Sequence, residues 1–576
     1  MSLTTRRWVV TVIAAVSAPC ALYASQSVER AWPLSFVVVG LWAMVVFVAP
    51  RWGALLGALS LAPGYAAMHR VIAEMSWLAE PLIQLGFGLS LLVTAAIVRA
   101  IVKRSSVPLA LLLPVLWAGG ELVRSLGIIP PWHWMAEGMY AQLWAIQICD
   151  LGGMPLLSMA LACSGGALAA LVLHRAHPTW RPRPARMRSE ITVALCVWLF
   201  VGLYGVWRLQ QAKHTVREGP RVLLIHSEFA GAEDRNFGQH QNLRGMAQRT
   251  HAALAQGVLP EVIVWPESVL DGVIDPGFLQ AESLSQETQR RALPQGSLEA
   301  DVRRAALQSE LARGRVRLPW VQQHVRRAGV PMLVGGPGRV QREGVWRRTN
   351  SVYWVRPEEG SVIVRHDKTE PFPIYERLPF EDATAAPLRP LRALFAQAQA
   401  ANPEWPGSIV AGTDATLFAL GQWRFAAPIC FETEYASFAN LQSIRAENRP
   451  DFWINVADDG WAKHRDDSVR AFRFNVFRAV ESRVGIARSS NAGVTGFTSP
   501  TGEIHGVVGG AAAAQMPSRL RDPRGPRHQI TVDRVRVDSR RTVYAALRGA
   551  SDLLVRALWL LGFCWWILRG RKGERA

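Results

Sequence analysis

The chain has 576 residues, half of them hydrophobic, and a formal net charge of +19 at pH 7. Apolar residues dominate both ends of the chain, whereas the middle is mixed and charged. This distribution excludes a disordered chain, a collagen-like chain and a simple soluble globular protein. We therefore predict a membrane protein with one large water-exposed insert.

The apolar parts predict eight membrane-spanning helices, each needing about 20 mostly apolar residues. They lie near 8–25, 32–50, 52–69, 79–101, 107–124, 142–173, 190–209 and 551–568. The run at 142–173 contains Asp150, Gly152, Gly153 and Pro155. We expect it to be interrupted rather than to form one straight helix.

The basic residues predict the orientation, because Lys and Arg beside spans are enriched on the cytoplasmic side. With a cytoplasmic N-terminus and seven spans before the insert, five basic clusters fall on that side. They are Arg6/Arg7, Arg51, Lys103/Arg104, the loop 175–188 and the tail 569–575. This places the insert in the periplasm and both termini in the cytoplasm of a bacterial inner membrane. We attribute the positive charge to this topology and expect no nucleic-acid partner.

The connection at 125–140 is rich in aromatic residues, among them Trp132, Trp134 and Tyr140. Two interpretations are open: an interfacial aromatic belt, or a lipid-facing floor beneath the insert.

The insert alternates short apolar runs with helical patterns, which indicates an α/β layered domain. Strands are predicted near 221–226, 261–267, 330–336, 351–355, 361–366, 423–430, 451–456 and 484–490. Helices are predicted at 238–257, 297–328, 431–447 and 466–482. The segment 271–330 is interpreted as an inserted, charged helical excursion.

Three chemically reactive side chains follow predicted strands: Glu267, Lys368 and Cys430, the single cysteine outside the apolar stretches. Each alone is ordinary, since strand-end Glu and Lys are usually solvated and a lone Cys is usually core. Together they supply a base, an oxyanion-stabilising cation and a nucleophile. A thiol at a helix N-terminus beside an ammonium is also expected to have a lowered pKa.

The motifs around these residues resemble those of the nitrilase (carbon–nitrogen hydrolase) superfamily. They are Trp265-Pro-Glu267, Lys368 followed by Pro371-Phe-Pro373 and Glu376, and Pro428-Ile-Cys-Phe-Glu432. With apolar spans on both flanks, nearly the whole chain resembles the apolipoprotein N-acyltransferases. The resemblance implies a polytopic α-helical membrane domain at 1–212 and a nitrilase-like α-β-β-α sandwich at 213–548. A C-terminal transmembrane helix and basic tail would follow at 549–576.

The resemblance also implies roles for the matched residues. Glu267 would be the base, Lys368 the oxyanion holder and Cys430 the nucleophile. The matched residues with supporting or substrate-binding roles are Glu376, Glu432, Trp461, Asn491 and Asn350. For Glu432, a structural role as an acid in a helix's first turn is an equally good interpretation. Neither a metal nor a cofactor is implied.

The implied reaction transfers a fatty acyl chain from a phospholipid, through a cysteine thioester, to the N-terminal amine of a diacylglyceryl-cysteine apolipoprotein. We expect a membrane-embedded monomer. Departures from the family pattern leave the lipid and the acceptor open; they lie at His226, Phe431, 129–134 and 459–463, and charged insertions lengthen the domain. The alternatives are a conjugal-transfer-associated relative, a membrane-tethered amidase or nitrilase, and a catalytically idle membrane component.

Overall fold

The chain divides into two compact units in a computed structural model. The helical unit comprises Met1–Thr215, Val480–Ser482 and Arg540–Ala576, and the sandwich unit comprises Val216–Ala479 and Arg483–Ser539. The structure describes residues 3–49, 52–75, 79–102, 107–125, 131–176, 184–228, 238–280, 298–342, 345–358, 363–373, 375–377, 389–400, 409–414, 416–436, 438, 449–460, 465–522, 529–547 and 549–573.

The N-terminal part of the helical unit consists of helices with largely apolar sequences. They are α1 (Leu3–Ser27), α2 (Ser35–Val48), α3 (Gly53–Met75), α4 (Ala79–Val102), α5 (Leu109–Arg124), α6 (Leu143–Ile146), α7 (Cys149–Ala176) and α8 (Pro184–Thr215). Short 3-10 helices occupy Glu29–Leu34 and Met135–Met139.

The interruption expected within 142–173 is confirmed. A four-residue helix, α6, precedes α7, and α7 itself departs from helical geometry at Gly152 and Gly153. Gly153 has φ 66°, a left-handed conformation that only glycine adopts without a steric penalty.

The sandwich unit contains twelve strands in its described residues. They are β1 (Val216–Ile225), β2 (Val262–Val264), β3 (Met332–Arg342), β4 (Val345–Val355), β5 (Val364–Asp367), β6 (Leu417–Leu420), β7 (Trp423–Ala426), β8 (Phe452–Asp458), β9 (Gly485–Asn491), β10 (Thr495–Thr498), β11 (Ile504–Val508) and β12 (Ile530–Asp538). The helices among them are α9 (Gly238–Ala255), α10 (Pro276–Gln280), α11 (Leu298–Ala328), α12 (Arg389–Ala400), α13 (Arg465–Ser482) and α14 (Gly510–Ala513).

The strands form two six-stranded sheets of matching design. The first has the order β12-β1-β2-β3-β4-β5, and the second β11-β10-β9-β8-β7-β6. In the first sheet β1, β2 and β3 are parallel, and in the second β7, β8 and β9 are parallel. The outer pairs in both sheets are antiparallel. Each sheet therefore has a parallel centre, and carboxyl ends of parallel strands are where α/β folds place functional groups.

Apolar side chains fill the space between the sheets and cover their outer faces. Val222, Val264 and Trp354 of the first sheet share a buried cluster with residues of β7, β8 and β9. On the outer faces, α9 and α11 cover the first sheet and α13 covers the second. The expected α-β-β-α sandwich is thus confirmed.

The interpretation of 271–330 as an excursion from the fold was wrong for its second half. Val321 and Val325 of α11 are buried against Ile263 and Val334 of the first sheet. The helix is therefore part of the outer layer, because its last turns carry apolar residues at a four-residue spacing. Residues 281–297 lie outside the described residues.

The helical unit resumes with α15 (Val543–Leu547) and α16 (Ala550–Gly573). Six helices of the described chain are long and apolar enough to cross a membrane, against eight predicted. They are Thr5–Ser27, Glu29–Val48, Glu80–Val102, Cys149–His174, Met187–Thr215 and Ala550–Leu568. The predicted spans at 52–69 and 107–124 fall on α3 and α5. α3 carries polar residues such as His69, and α5 has only 16 residues, about 24 Å of helix.

The aromatic connection is part of the core of the helical unit. Trp132, His133, Trp134 and Tyr140 are all buried, so neither interpretation as an exposed aromatic surface holds. Arg124 donates to the carbonyl oxygens of Trp132 (3.1 Å) and His133 (2.6 Å), which fixes this connection inside the unit.

Candidate active site

Lys368 lies between two carboxylates in the sandwich unit. It directly follows β5, and its side chain is 2% exposed. Its Nζ is 2.8 Å from Glu376 Oε2 and 3.5 Å from Glu267 Oε1. Phe372 N donates to the same Glu376 oxygen at 2.7 Å. The chain therefore turns back after Lys368, so that the Glu376 carboxylate contacts the Lys368 ammonium.

Asn350 on β4 joins the two carboxylates. Its Nδ2 donates to Glu267 Oε1 (2.5 Å) and to Glu376 Oε1 (3.1 Å). Its main-chain oxygen accepts from Lys368 N at 2.8 Å. One residue of the neighbouring strand thus fixes both the backbone of Lys368 and its two anionic partners.

Glu267 also connects the two sheets. It lies just beyond β2 of the first sheet, and its Oε2 accepts from Asp458 N, at the end of β8 of the second sheet, at 2.7 Å. Cys430 Sγ donates to the main-chain oxygen of Asp458 at 4.0 Å. The thiol therefore lies at the edge where the carboxyl ends of β2 and β8 meet.

Cys430 occupies a strained turn. It begins a 3-10 helix, Cys430–Glu434, and has φ 49°, a left-handed conformation that is uncommon for a residue with a Cβ. Two other positive-φ residues, Ser268 and Ala492, directly follow Glu267 and Asn491. Such strain tends to cluster at functional sites. The predicted helix at 431–447 was wrong at its start, since Tyr435 is already extended; residues 439–448 lie outside the described residues.

Burial and neighbouring charges shift the pKa values of Glu267 and Lys368. Burial, reinforced by Glu376 and Asp458, raises the pKa of Glu267 to about 7, against the opposing effects of Lys368 and Asn350. Burial disfavours the charged form of Lys368, but Glu376 and Glu267 outweigh it and raise its pKa. The arrangement therefore favours a protonated Lys368 and a Glu267 that ionises near neutral pH.

The expected lowering of the thiol pKa was wrong. Burial and the charge of Glu267 raise the pKa of Cys430 well above its ordinary value, and Lys368 offsets only part of this. The five-residue 3-10 helix is too short to supply a substantial dipole. In the resting site the sulfur is therefore a thiol, which needs a base when it attacks.

Glu432 accepts four hydrogen bonds and is fully buried. Its donors are Ile429 N (2.6 Å), Thr369 N (2.6 Å), Thr369 Oγ1 (2.6 Å) and His366 Nε2 (3.1 Å). Burial opposes its ionisation, but His366 and these bonds hold its pKa below the ordinary value. The bond from Ile429 N is that of an acid in the first turn of the 3-10 helix, and the other bonds join Glu432 to the residues around Lys368.

Asn491 lies one hydrogen bond further from the thiol. Its Nδ2 donates to Asp458 Oδ1 at 2.8 Å, and its Oδ1 accepts from Ser227 Oγ at 2.6 Å. The first of these bonds holds Asp458, whose main-chain N–H donates to Glu267. Trp461, the remaining predicted site residue, lies outside the described residues.

Three residues at the site were not singled out from the sequence: Asp458, His366 and Thr369. Two signals were available. Asp458 stands two positions after the predicted strand 451–456. His366 stands two positions before Lys368, so that both share one face of the extended chain. Among the described residues, no cluster of three or more His, Cys, Asp or Glu is placed to hold a metal ion.

The arrangement can support acyl transfer through a cysteine. A thiol, a carboxylate that ionises near neutral pH and an ammonium with a raised pKa lie around one sheet edge. Groups of these three kinds can serve chemically as a nucleophile, a base and a cation for a developing oxyanion.

Comparison with known proteins finds sequence relatives that are named apolipoprotein N-acyltransferases. An apolipoprotein N-acyltransferase of Geobacter metallireducens is 26% identical over 431 residues, covering 72% of this chain and 69% of the relative. That of Brucella suis is 26% identical over 380 residues, covering 65% and 62%. Apolipoprotein N-acyltransferase 2 of Treponema pallidum is 24% identical over 415 residues, covering 68% and 66%.

No family model matches the chain. Among solved structures, a nitrilase-superfamily amidase from Nesterenkonia matches with a TM-score of 0.33 and 15% identity, covering 58% of this chain and 95% of the amidase. The matches to the three sequence relatives cover more of the chain, between 65% and 72%. The resemblance inferred from the motifs is therefore confirmed at the level of sequence: this chain is a distant relative of the apolipoprotein N-acyltransferases.

Proposed function

We propose that the chain is a membrane-bound acyltransferase that moves a fatty acyl group from a phospholipid to the N-terminal amine of a diacylglyceryl-cysteine apolipoprotein. The names of its sequence relatives support the reaction class. The observation that carries the proposal is the convergence of Glu267, Lys368 and Glu376 beside the Cys430 turn. Six apolar helices long enough to cross a membrane fit substrates whose acyl chains stay in the bilayer.

In the first half-reaction Cys430 attacks the ester carbonyl of the phospholipid. The thiol proton passes to the Glu267 carboxylate as the sulfur–carbon bond forms, and Lys368 donates to the oxyanion. Collapse of this intermediate breaks the ester carbon–oxygen bond. The proton held by Glu267 passes to the leaving oxygen, so a lysophospholipid departs and a thioester remains.

In the second half-reaction the acceptor amine attacks the thioester carbonyl. Glu267 takes a proton from the nitrogen, and Lys368 again donates to the oxyanion. The carbon–sulfur bond then breaks, the proton returns from Glu267 to the sulfur, and an amide is released. The protonation states of the resting site are thereby restored.

The proposal places the sandwich unit in the periplasm and both termini in the cytoplasm. The support is the distribution of basic residues around the apolar segments. A reporter that fluoresces only in the cytoplasm, fused after Ala576, is expected to be bright. The same reporter inserted between Glu358 and Ile363 is expected to be dark, and the reverse pattern would refute this orientation.

The acceptor is tested with purified protein, a phospholipid and a synthetic diacylated lipopeptide with a free N-terminus. We expect the lipopeptide to gain one acyl mass on its α-amine, and an N-acetylated lipopeptide to gain none. Release of free fatty acid at the same rate with either peptide would instead favour the hydrolytic alternative. A Cys430→Ala variant is the matched control.

A further inference from the structure

The residues that donate to Glu432 lie beside Lys368 and Cys430 in the sequence. His366 and Thr369 stand on either side of Lys368, which contacts both site carboxylates. Ile429 directly precedes Cys430, and Glu432 itself lies two positions after it. One buried carboxylate therefore fastens the segment of Lys368, which leaves the first sheet, to the turn of Cys430, which leaves the second.

His366 donates to Glu432 through its side chain only, so a substitution removes this hydrogen bond without changing the main chain. Its ring is buried, and its Nδ1 lies 3.5 Å from Thr416 N. A backbone N–H can only donate, so Nδ1 is the acceptor in this contact. Nε2 lies 3.1 Å from Glu432 Oε2, so each ring nitrogen has a hydrogen-bond partner.

We propose that His366 is a positioning residue: together with Thr369 it holds Glu432 so that the Lys368 ammonium stays at a fixed position relative to the Cys430 sulfur. The role rests on the proposed function, in which that ammonium must meet the oxyanion formed on the carbonyl attacked by the sulfur. His366 itself touches neither Lys368 Nζ nor the thiol.

The position of Lys368 relative to Cys430 depends on contacts between the two sheets. Lys368 follows a strand of the first sheet and Cys430 follows a strand of the second, so hydrogen bonds between these two segments fix their relative position. An oxyanion donor acts only within a few tenths of an ångström of its productive place, and a displacement of about 1 Å costs about 100-fold in rate. Loss of one bond from the carboxylate that ties the two segments is therefore expected to slow both half-reactions, and acylation can be measured without an acceptor.

The test compares His366→Ala with His366→Gln. Gln offers one donor and one acceptor, so it can serve both Glu432 and the Thr416 N–H, whereas Ala serves neither. Acylation of Cys430 by phospholipid is followed by intact mass in a single turnover. We expect Ala to slow acylation about tenfold or more and Gln to restore it to within about threefold of the natural protein.

His505→Ala is the matched control, because it removes another histidine–carboxylate contact, the 2.9 Å pair of His505 with Asp533. It is expected to acylate at the natural rate. The proposal is overturned if His366→Ala acylates like the natural protein, or if Gln is as slow as Ala at an equal melting temperature. If His366→Ala does not fold, Thr369→Val against Thr369→Ser repeats the comparison, since Ser keeps the hydroxyl donor to Glu432.

A second readout separates this inference from the proposed function. Alkylation of Cys430 by iodoacetamide, followed by peptide mapping, needs no lipid. Displacing the Lys368 cation from the sulfur is expected to slow alkylation in His366→Ala, with recovery in Gln. If the natural protein forms no acyl adduct, the proposed function fails while alkylation still decides the positioning role. Equal alkylation rates in all variants would then refute it.

Discussion

The ammonium of Lys368 lies closer to Glu376 than to Glu267, at 2.8 Å against 3.5 Å. Glu376 therefore takes the tighter ion pair, and Glu267 is left only partly compensated in a buried position. This explains how a carboxylate beside a lysine can have a pKa raised to about 7. Burial is the main cause of this rise, and the charges of Glu376 and Asp458 add to it.

The pH dependence of acylation follows from Glu267. The base works in its ionised form, so the rate is expected to rise with pH through about 7 and then level off. Well below that value the rate should fall about tenfold for each pH unit. Single-turnover acylation measured by quenched mass spectrometry between pH 5 and 9 gives the profile. A rate that is independent of pH from 5 to 9 would exclude Glu267 as the base.

Replacing Glu376 with Gln removes one of the charges that raise the pKa of Glu267. The acid limb of the profile is therefore expected to move to lower pH, while the plateau falls because the base is weaker and Lys368 is less well held. Glu503→Gln, at an exposed carboxylate, serves as the control and should leave the profile in place. An acid limb that moves upward in Glu376→Gln would contradict the assigned electrostatics.

Replacing Asn350 is expected to shift the pKa of Glu267 upward, opposite to the effect of Glu376→Gln. Its amide donates to both carboxylates and favours the ionised form of Glu267. Asn350→Ala loses these donors, so the acid limb should move to higher pH, and Asn350→Asp should move it further by adding a like charge. The plateau is expected to fall about 10- to 100-fold although Glu267 becomes more basic, because Asn350 positions both carboxylates and a hydrogen bond to a charged group contributes about 1.5–3 kcal/mol. Profiles of the two variants that match the natural one would show that Asn350 does not act on Glu267.

A stability prediction concerns the interruption in α7. Gly153 has φ 66°, and a Cβ added there would lie 2.7 Å from the ring of Tyr544. Gly153→Ala is therefore expected to cost about 1–3 kcal/mol and lower the melting temperature in detergent. Gly202→Ala in α8, where a Cβ meets nothing within 4 Å, is expected to be neutral or stabilising by up to about 1 kcal/mol. Equal melting temperatures for the two variants would show that the interruption carries no such constraint.

The residues at strand ends were predictable because parallel strands bring their carboxyl ends to one edge. Glu267 and Lys368, which follow predicted strands, lie 3.5 Å apart there. Glu376 and Asn350, which only the family resemblance implied, contact them from beyond Lys368 and from within β4. The interruption at Gly152 and Gly153 was predictable for a local reason, since two glycines and Pro155 oppose a continuous helix.

Other features depend on tertiary contacts that a sequence does not display. The direction of the Cys430 pKa depends on how deeply the thiol is buried, and burial outweighs the helix terminus and the ammonium. The contact of His366 with Glu432 joins residues 66 positions apart. The span at 107–124 was overestimated because Pro108 precedes the helix and α5 has only 16 residues.

The measurement that tests the central claim most directly is intact mass spectrometry of the purified protein after incubation with phosphatidylethanolamine or phosphatidylglycerol. A thioester at Cys430 predicts a mass gain of one fatty acyl group that is removed by neutral hydroxylamine and is missing in Cys430→Ala. A natural protein without this adduct, under conditions where a related apolipoprotein N-acyltransferase forms one, would contradict acyl transfer through Cys430. An adduct that persists in Cys430→Ala would contradict it equally.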